Sequence, residues 1–324
     1  MPPFGSRRAF LQSSTLGASA LAAGTWQSGM LYAADARSSP GPNETVNLGV
    51  IGSGGRAGQV MKRMNQVSGT RLIAVADVED ARMDRFNKTF GDGKARHYSD
   101  YRKLLEDKDV DAVLVATPGH WHVLPTIHAC QAGKDVYVEK PLAHCIAEGR
   151  AAVEAAKKYN RVVQIGTQQA SWEHYQRAAE IVRSGKLGPI TEVKVWDMDY
   201  HYPGYGNVAD SEPPAGFDWD FWLGPAPKAP YNENRHRHHY WFFDYGNGWQ
   251  VDWAVHHYQI VHWFMNCDMP LSAVGVGSRY ALEDNCQWPD TFSGVCEYPS
   301  CGPAPRGFLQ PRGAALALQA VLRH

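Results

Sequence analysis

The stretch Thr45-Val46-Asn47-Leu48-Gly49-Val50-Ile51-Gly52-Ser53-Gly54-Gly55-Arg56-Ala57-Gly58 decides the fold. Its first half is a compact apolar run of strand length. Its second half is a glycine-rich turn, and a helix-like segment follows to about Val67. The spacing is G-x-G-x-x-A. In a strand–turn–helix unit, Gly52 permits the tight turn, Gly54 lets the backbone approach a pyrophosphate, and Ala57 allows the helix to pack closely on the strand. Gly55 and Arg56 open the helix, whose N-terminus then faces the phosphates. A lone match of this kind is weak. Here an acidic residue stands at the expected remove, because Asp77 closes the apolar run 71–76. A carboxylate there accepts hydrogen bonds from ribose hydroxyls and repels a 2′-phosphate. NAD is therefore favoured over NADP, and Arg82 and Arg85 just beyond keep NADP as the alternative.

Outward from this unit the pattern alternates. Residues 81–90 are helical in character, and 99–106 read as a short helix capped by Ser99. Residues 111–117 are a buried strand that stops at Pro118, and 123–132 are a helix closed by Gly133. Residues 135–139 form a strand, 146–159 a helix with Ile146, Val153 and Ala156 on one face, and 162–166 a further strand. Strands alternating with helices predict a parallel, doubly wound sheet. Ligands of such sheets bind beyond the carboxyl ends of the strands. Two strand ends matter for that reason. One is Thr117-Pro118-Gly119-His120-Trp121-His122, whose side chains are placed to line the nicotinamide ribose or else form an exposed turn. The other is Glu139-Lys140-Pro141, where a proline ends the ladder and leaves Lys140 in the crevice. A partly buried lysine tunes readily into proton transfer.

The chain has 324 residues, 44 % hydrophobic and 20 % charged, with a net charge of −1. That length accommodates two domains, and the charge gives no electrostatic footprint for nucleic acid. No apolar stretch reaches membrane-spanning length, so no membrane anchor is expected. None of the six cysteines forms a Cys-x-x-Cys pair, which argues against a zinc knuckle. Ser6-Arg7-Arg8-Ala9-Phe10-Leu11 precedes a mildly apolar stretch from Leu16 to Ala23, and small residues follow at Ala33-Ala34-Asp35-Ala36. This is similar to a twin-arginine export signal over residues 1–36, followed by a linker at 37–44, and it predicts a periplasmic or exported protein.

After Gly166-Thr167-Gln168-Gln169 the character changes. Residues 172–184 read as a helix, and 190–200 alternate with period two like a half-buried antiparallel strand. A long aromatic and histidine-rich insertion runs from His201 to about Tyr245. Its many Trp and Tyr residues argue for order, and aromatic faces suit sugar rings as well as cores. Beyond it, Asp252 and His256 stand four apart and so share a face of a predicted helix, where a carboxylate and an imidazole can polarise a substrate hydroxyl together with Lys140. A metal site built from His236, His238, His239, His256, His257 and His262 is the competing reading, but the spacing matches no zinc motif and no metal is assigned.

Together these residues resemble the glucose–fructose oxidoreductase / inositol dehydrogenase / MocA (Gfo/Idh/MocA) family. The carriers are Gly52-x-Gly54-x-x-Ala57 with Asp77, Thr117-Pro118 with His122, Glu139-Lys140-Pro141, and Asp252-x-x-x-His256. The resemblance covers about Val46 to Tyr298. It implies an α/β protein, with an N-terminal Rossmann domain at 45–168 and a C-terminal α/β domain at 169–300 built on an open, mostly antiparallel sheet. It implies a nicotinamide cofactor contacted at the fingerprint turn, Asp77, Thr117, Pro118, His122, Glu139, Lys140 and Gln168. It also implies catalysis by Lys140 with His256 and Asp252, sugar or polyol substrates, and a homo-oligomer. Family members often carry an Asp three residues after the His, where this chain has Gln259. Residues 301–324 form a Pro/Arg/Ala-rich tail that reads as having no strand pattern. The expectation is a C-terminal sheet cut short, with an unpaired edge prone to aggregation and a short C-terminus that stands against the homo-oligomer. Three functions follow in order: a nicotinamide-dependent oxidoreductase acting on CH–OH groups of a sugar or polyol, a glycosidase that uses transient oxidation of its sugar, and a non-catalytic binding protein.

Overall fold

The computed structural model describes residues 44–199, 201–299 and 314–320, the last of these by backbone alone. The expected export signal at 1–36 and most of the expected linker at 37–44 lie outside the described residues, as does the tail apart from 314–320. The first half of the chain runs β1 (Val46–Ile51), α1 (Gly55–Met64), β2 (Thr70–Ala76), α2 (Asp80–Phe90), β3 (Arg96–Tyr98), α3 (Tyr101–Glu106), β4 (Ala112–Val115), α4 (Val123–Gln131), β5 (Asp135–Val138), α5 (Ile146–Lys158) and β6 (Val163–Ile165). The six strands pair in the order β3-β2-β1-β4-β5-β6, all parallel. The order reverses between β1 and β4, so the crevice of the doubly wound sheet opens beside the fingerprint turn.

Both faces of this sheet are covered, which is why its strands are continuously apolar rather than alternating. Along β4, Val113 and Val115 enter the core that holds Leu104 and Val138, while Leu114 enters the opposite core with Val50, Met61 and Val75. Two local expectations change. The cap of α3 is Asp100, not Ser99: the Asp100 carboxylate accepts from the Arg102 N–H. The buried face of α5 is Ala152 and Ala155, while Ile146 is 94 % exposed and Val153 38 %. Small side chains bring α5 close to its neighbours, and its first turn overhangs them.

The second half runs α6 (Glu173–Arg183), β7 (Glu192–Asp197), α7 (Trp219–Leu223), α8 (Glu233–Arg237), α9 (Trp249–Asp252), α10 (Ala254–Met265), β8 (Ser272–Ser278), β9 (Thr291–Tyr298) and β10 (Ala314–Ala320). Its sheet has the order β7-β10-β9-β8. Pairings β8–β9 and β9–β10 are antiparallel, and β10–β7 is parallel. The mostly antiparallel sheet is as expected, but two details are corrected. The period-two alternation at β7 reports one buried face and says nothing of direction, and β7 runs parallel to its described neighbour. The tail, read as having no strand pattern, contributes β10 between β7 and β9. An Ala-rich segment has weak strand preference of its own, so its pairing on both edges is what makes it a strand. Val261 and Met265 of α10 pack on this sheet with Cys296 and Tyr298, and Cys267 is disulfide-bonded. Among the described residues no helix is long and apolar enough to cross a membrane.

The insertion forms an aromatic core of its own. Trp241, Phe242 and Tyr245 are fully buried, Trp219 stacks on Trp222 with ring centroids 4.6 Å apart, and Trp241 stacks on Trp249 at 6.2 Å. This core is fastened across the crevice of the first domain. Glu79 and Phe217 form an antiparallel bridge, and the Asp218 N–H donates to the Val78 carbonyl at 3.0 Å. Farther along, the Trp222 carbonyl accepts from the Trp121 indole at 2.7 Å and meets His120 Nε2 at 3.0 Å. The strap therefore runs from the end of β2 to the turn after β4.

Candidate active site

A cavity of about 520 Å³ lies under the strap. The first domain lines it with Gly54, Asp77, Thr117 and Lys140, and the second with Phe221, Trp222, His239, Tyr245 and Asp252. At its floor Gly52 has φ +84°, and a Cβ there would meet the Ala116–Thr117 backbone at 2.9 Å, so the turn between β1 and α1 admits only glycine. Gly54 caps α1 with extended backbone, no side chain caps the helix, and Gly55 has open space where a Cβ would stand. The N–H groups of the first turn are thus left for an anionic ligand. Thr117 lines the same cavity, and its Oγ1 is buried without a partner. These features fit a dinucleotide, with the pyrophosphate at the α1 N-terminus.

Asp77 stands where the ribose reading requires it, but it is already engaged. Its Oδ2 accepts from the Ser53 N–H at 2.6 Å and the Ser53 hydroxyl at 2.7 Å, and its Oδ1 accepts from the Glu79 N–H at 3.2 Å. Three other expected cofactor contacts turn out to be partners of one another. Arg56 Nε pairs with Glu139 Oε1 at 2.8 Å, and Arg56 Nη2 donates to Gln168 Oε1 at 3.1 Å. Glu139 is buried, and its Oε2 accepts from the Lys140 N–H at 3.2 Å. Gly166 has no side chain because that carboxylate occupies the space. Arg56 and Glu139 reach the cavity, while Ala57 and Gln168 support it from behind. His122 is buried with Nδ1 2.6 Å from the Pro141 carbonyl and Nε2 2.8 Å from the Thr117 carbonyl. It laces the ends of β4 and β5 together, and Pro118 lies beside it on the cavity wall.

Lys140 and Asp252, 112 residues apart, meet in the cavity. Lys140 Nζ donates to Asp252 Oδ2 at 2.7 Å and to the Asp252 carbonyl at 2.9 Å, and lies 5.6 Å from the Trp253 ring centroid. The Lys140 side chain is 15 % exposed. This contact also explains a break in the helix. The His256 N–H donates to Trp253 at 3.0 Å rather than to Asp252, whose carbonyl is turned to the lysine. Asp252 and His256 consequently end α9 and begin α10 instead of sharing one regular face. Asp252 lines the cavity; His256 is 2 % exposed, sits behind it, and has no partner for Nδ1. Burial, helped by the Lys140 charge, pushes the His256 pKa down to about 4. His256 is thus a neutral imidazole next to the pair.

The second domain supplies wall residues that were not expected singly at a cofactor or substrate site, although His239 stood among the candidate metal ligands. His239 and Tyr240 line the cavity, and Asn247 joins them while its amide donates to the His144 carbonyl at 3.1 Å. Nothing local marks these residues, since the strap brings them in from more than 90 positions away. Among the described residues no group of three or more His, Cys, Asp or Glu is placed to hold a metal ion.

Buried neutral histidines give the fold a pH dependence of definite sign. Burial pushes His120 down to about 3 and His256 down to about 4. The unfolded chain, with histidine near 6.5, then binds more protons than the folded chain below neutrality. Stability is full above about pH 6.5 and declines as pH falls toward the folded values. By pH 5 each of these two groups removes roughly 2 kcal/mol. His236 and His239, lowered to about 4 chiefly by burial, act in the same direction. Melting followed between pH 7 and pH 5 is expected to show a drop on the order of 10 °C; a flat profile would contradict the buried neutral state.

Comparison with known proteins agrees with this geometry. Residues 46–167 match the family model described as oxidoreductase family, NAD-binding Rossmann fold, and residues 175–286 match that of the oxidoreductase family, C-terminal alpha/beta domain. The chain is 32 % identical over 146 residues to inositol 2-dehydrogenase of Salmonella typhimurium, a match covering 44 % of this chain and 43 % of that one. It is 38 % identical over 116 residues to a glycosyl hydrolase family 109 protein of Solibacter usitatus, covering 33 % and 26 %. The chain spans about half the length, or less, of the curated relatives it matches. The crystal structure of myo-inositol 2-dehydrogenase from Lactobacillus plantarum superposes with a TM-score of 0.61 at 19 % identity, over 86 % of this chain and 70 % of that one, a likeness of fold alone. With both of its domains matched, the chain belongs to the Gfo/Idh/MocA oxidoreductase family.

Proposed function

We propose that the protein is an NAD-dependent oxidoreductase acting on a hydroxyl group of a sugar or polyol. One observation carries this reading: a lysine ammonium position, held by Asp252, opens into the same cavity as an uncapped dinucleotide-type helix N-terminus. When bound, the nicotinamide supplies the carbon that exchanges hydride with the substrate. The chain's own residues handle the proton. Lys140 in its amine form accepts the hydroxyl proton, and the ammonium that results is stabilised by the Asp252 carboxylate, the Asp252 carbonyl and the Trp253 ring. In the reverse direction the ammonium returns that proton to the carbonyl oxygen. Glu139 holds the Lys140 backbone, and Arg56 holds Glu139, so the proton acceptor is referenced to the helix that would bind the phosphates. The aromatic walls Phe221, Trp222 and Tyr245 exclude water from the cavity.

The likeness to the glycosyl hydrolase family 109 protein of Solibacter usitatus favours a second reading, redox-neutral glycoside cleavage, in which an oxidised sugar eliminates its glycosidic group and is then reduced again. One panel separates them. The purified protein is given NAD with free polyols and sugars, and separately aryl glycosides without added NAD. Net NADH formation is the expected result. Release of the aryl alcohol with no net NADH would replace the first reading by the second.

A further inference from the structure

The end of β2 carries more charge than nucleotide binding requires. Arg82 lines the cavity beside Asp77, with its Nη1 3.5 Å from where a Cβ on Gly54 would stand. A guanidinium at that place is the natural partner of a ribose 2′-phosphate. It is not free to serve. Arg82 Nη2 pairs with Glu79 Oε2 at 2.7 Å, and Arg85 Nη2 reaches Glu79 Oε1 at 3.5 Å, so each carboxylate oxygen takes a different arginine. Glu79 itself is anchored by backbone. Its N–H donates to Asp77 Oδ1, and it forms the bridge with Phe217 of the strap. Arg237, the other arginine of this end of the cavity, is paired with Glu233 at 2.8 Å. His236 beside them is kept neutral by burial and by the two arginines.

We propose that Glu79 is a specificity-determining residue for the nucleotide: it neutralises Arg82 and Arg85 and so withholds the countercharge that a 2′-phosphate needs. The inference rests on the nucleotide reading of the cavity and goes beyond it. Asp77 contributes repulsion, but both its oxygens are spent on Ser53 and Glu79 N–H donors, and removing it would disturb the turn. Glu79 is the residue whose change alters charge without changing the fold, because its side chain makes no capping bond to α2.

The test is equilibrium binding of NAD and of NADP to the full chain, stripped of co-purified nucleotide, for the wild type, Glu79→Gln, and Glu79→Gln with Arg82→Ala. In Glu79→Gln the NADP:NAD affinity ratio is expected to rise about tenfold, the scale of one charge-assisted phosphate contact. In the double variant the ratio is expected to return toward the wild-type value. A ratio in Glu79→Gln within about twofold of wild type, with NAD still bound, overturns the proposal alone. Failure of all three proteins to bind either nucleotide overturns the nucleotide reading and the proposal with it.

Discussion

Lys140→Ala is expected to lower kcat by about 10²- to 10⁴-fold, the usual worth of a positioned acid–base group. The NAD dissociation constant should change by less than about threefold, since the phosphates and adenosine are held elsewhere. The two readouts separate catalysis from positioning. A lysine that only orders the nucleotide would raise the dissociation constant and leave kcat of the saturated enzyme near normal. Removal also leaves Asp252 without its cation, and that carboxylate is three-quarters buried. Some loss of melting temperature is therefore expected too, and Lys140→Ala with Asp252→Ala should recover part of it while staying inactive. Turnover within about tenfold of wild type would remove Lys140 from the chemistry. It would also leave the family resemblance without its most specific functional consequence.

Much of the first domain was legible because its signals are local. The G-x-G-x-x-A turn, Asp77 and the strand ends at Thr117 and Lys140 each sit within one strand–turn–helix unit, so spacing alone positions them. What escaped reading was tertiary. Lys140 and Asp252 were expected to act together across 112 residues, but no pattern says that their meeting pulls the Asp252 carbonyl out of the helix that periodicity predicts through His256. Arg56, Glu139 and Gln168 were each expected at the cofactor, yet nothing in their spacing says that they bond to one another. Ile146 fits an apolar helix face by spacing and is nevertheless at the overhanging end of α5. The tail strand β10 was illegible for a different reason: its composition has little strand preference, and its partners β7 and β9 lie before it in the chain and on opposite sides. The strap was legible as ordered, from its aromatics, but its path over the crevice is set by carbonyls such as that of Trp222, which no sequence displays.

That path makes Gly224→Ala the second large expected effect. Gly224 ends α7 with φ +49°, and a Cβ there would overlap the Trp121 indole at Cζ2. Two penalties add. A non-glycine residue in that backbone region costs about 1–3 kcal/mol, and overpacking a buried ring costs about 1–3 kcal/mol more. If the ring gives way, the Trp121 N–H leaves the Trp222 carbonyl, and the strap loses a fastening at the turn after β4. Gly216→Ala provides the control, because Gly216 has φ +76° but open space around the added Cβ. It should show the backbone penalty alone, about 1 kcal/mol. The expected order is thus a melting temperature lowered by roughly 10 °C in Gly224→Ala and by only a few degrees in Gly216→Ala. Because Phe221 and Trp222 are walls of the cavity, NAD should also bind more weakly to Gly224→Ala and normally to Gly216→Ala. Equal melting of the two variants would mean that the indole has room to move and that the strap is not held at Trp121. Unequal melting with unchanged NAD affinity would mean that the strap is fastened there yet contributes nothing to enclosing the nucleotide.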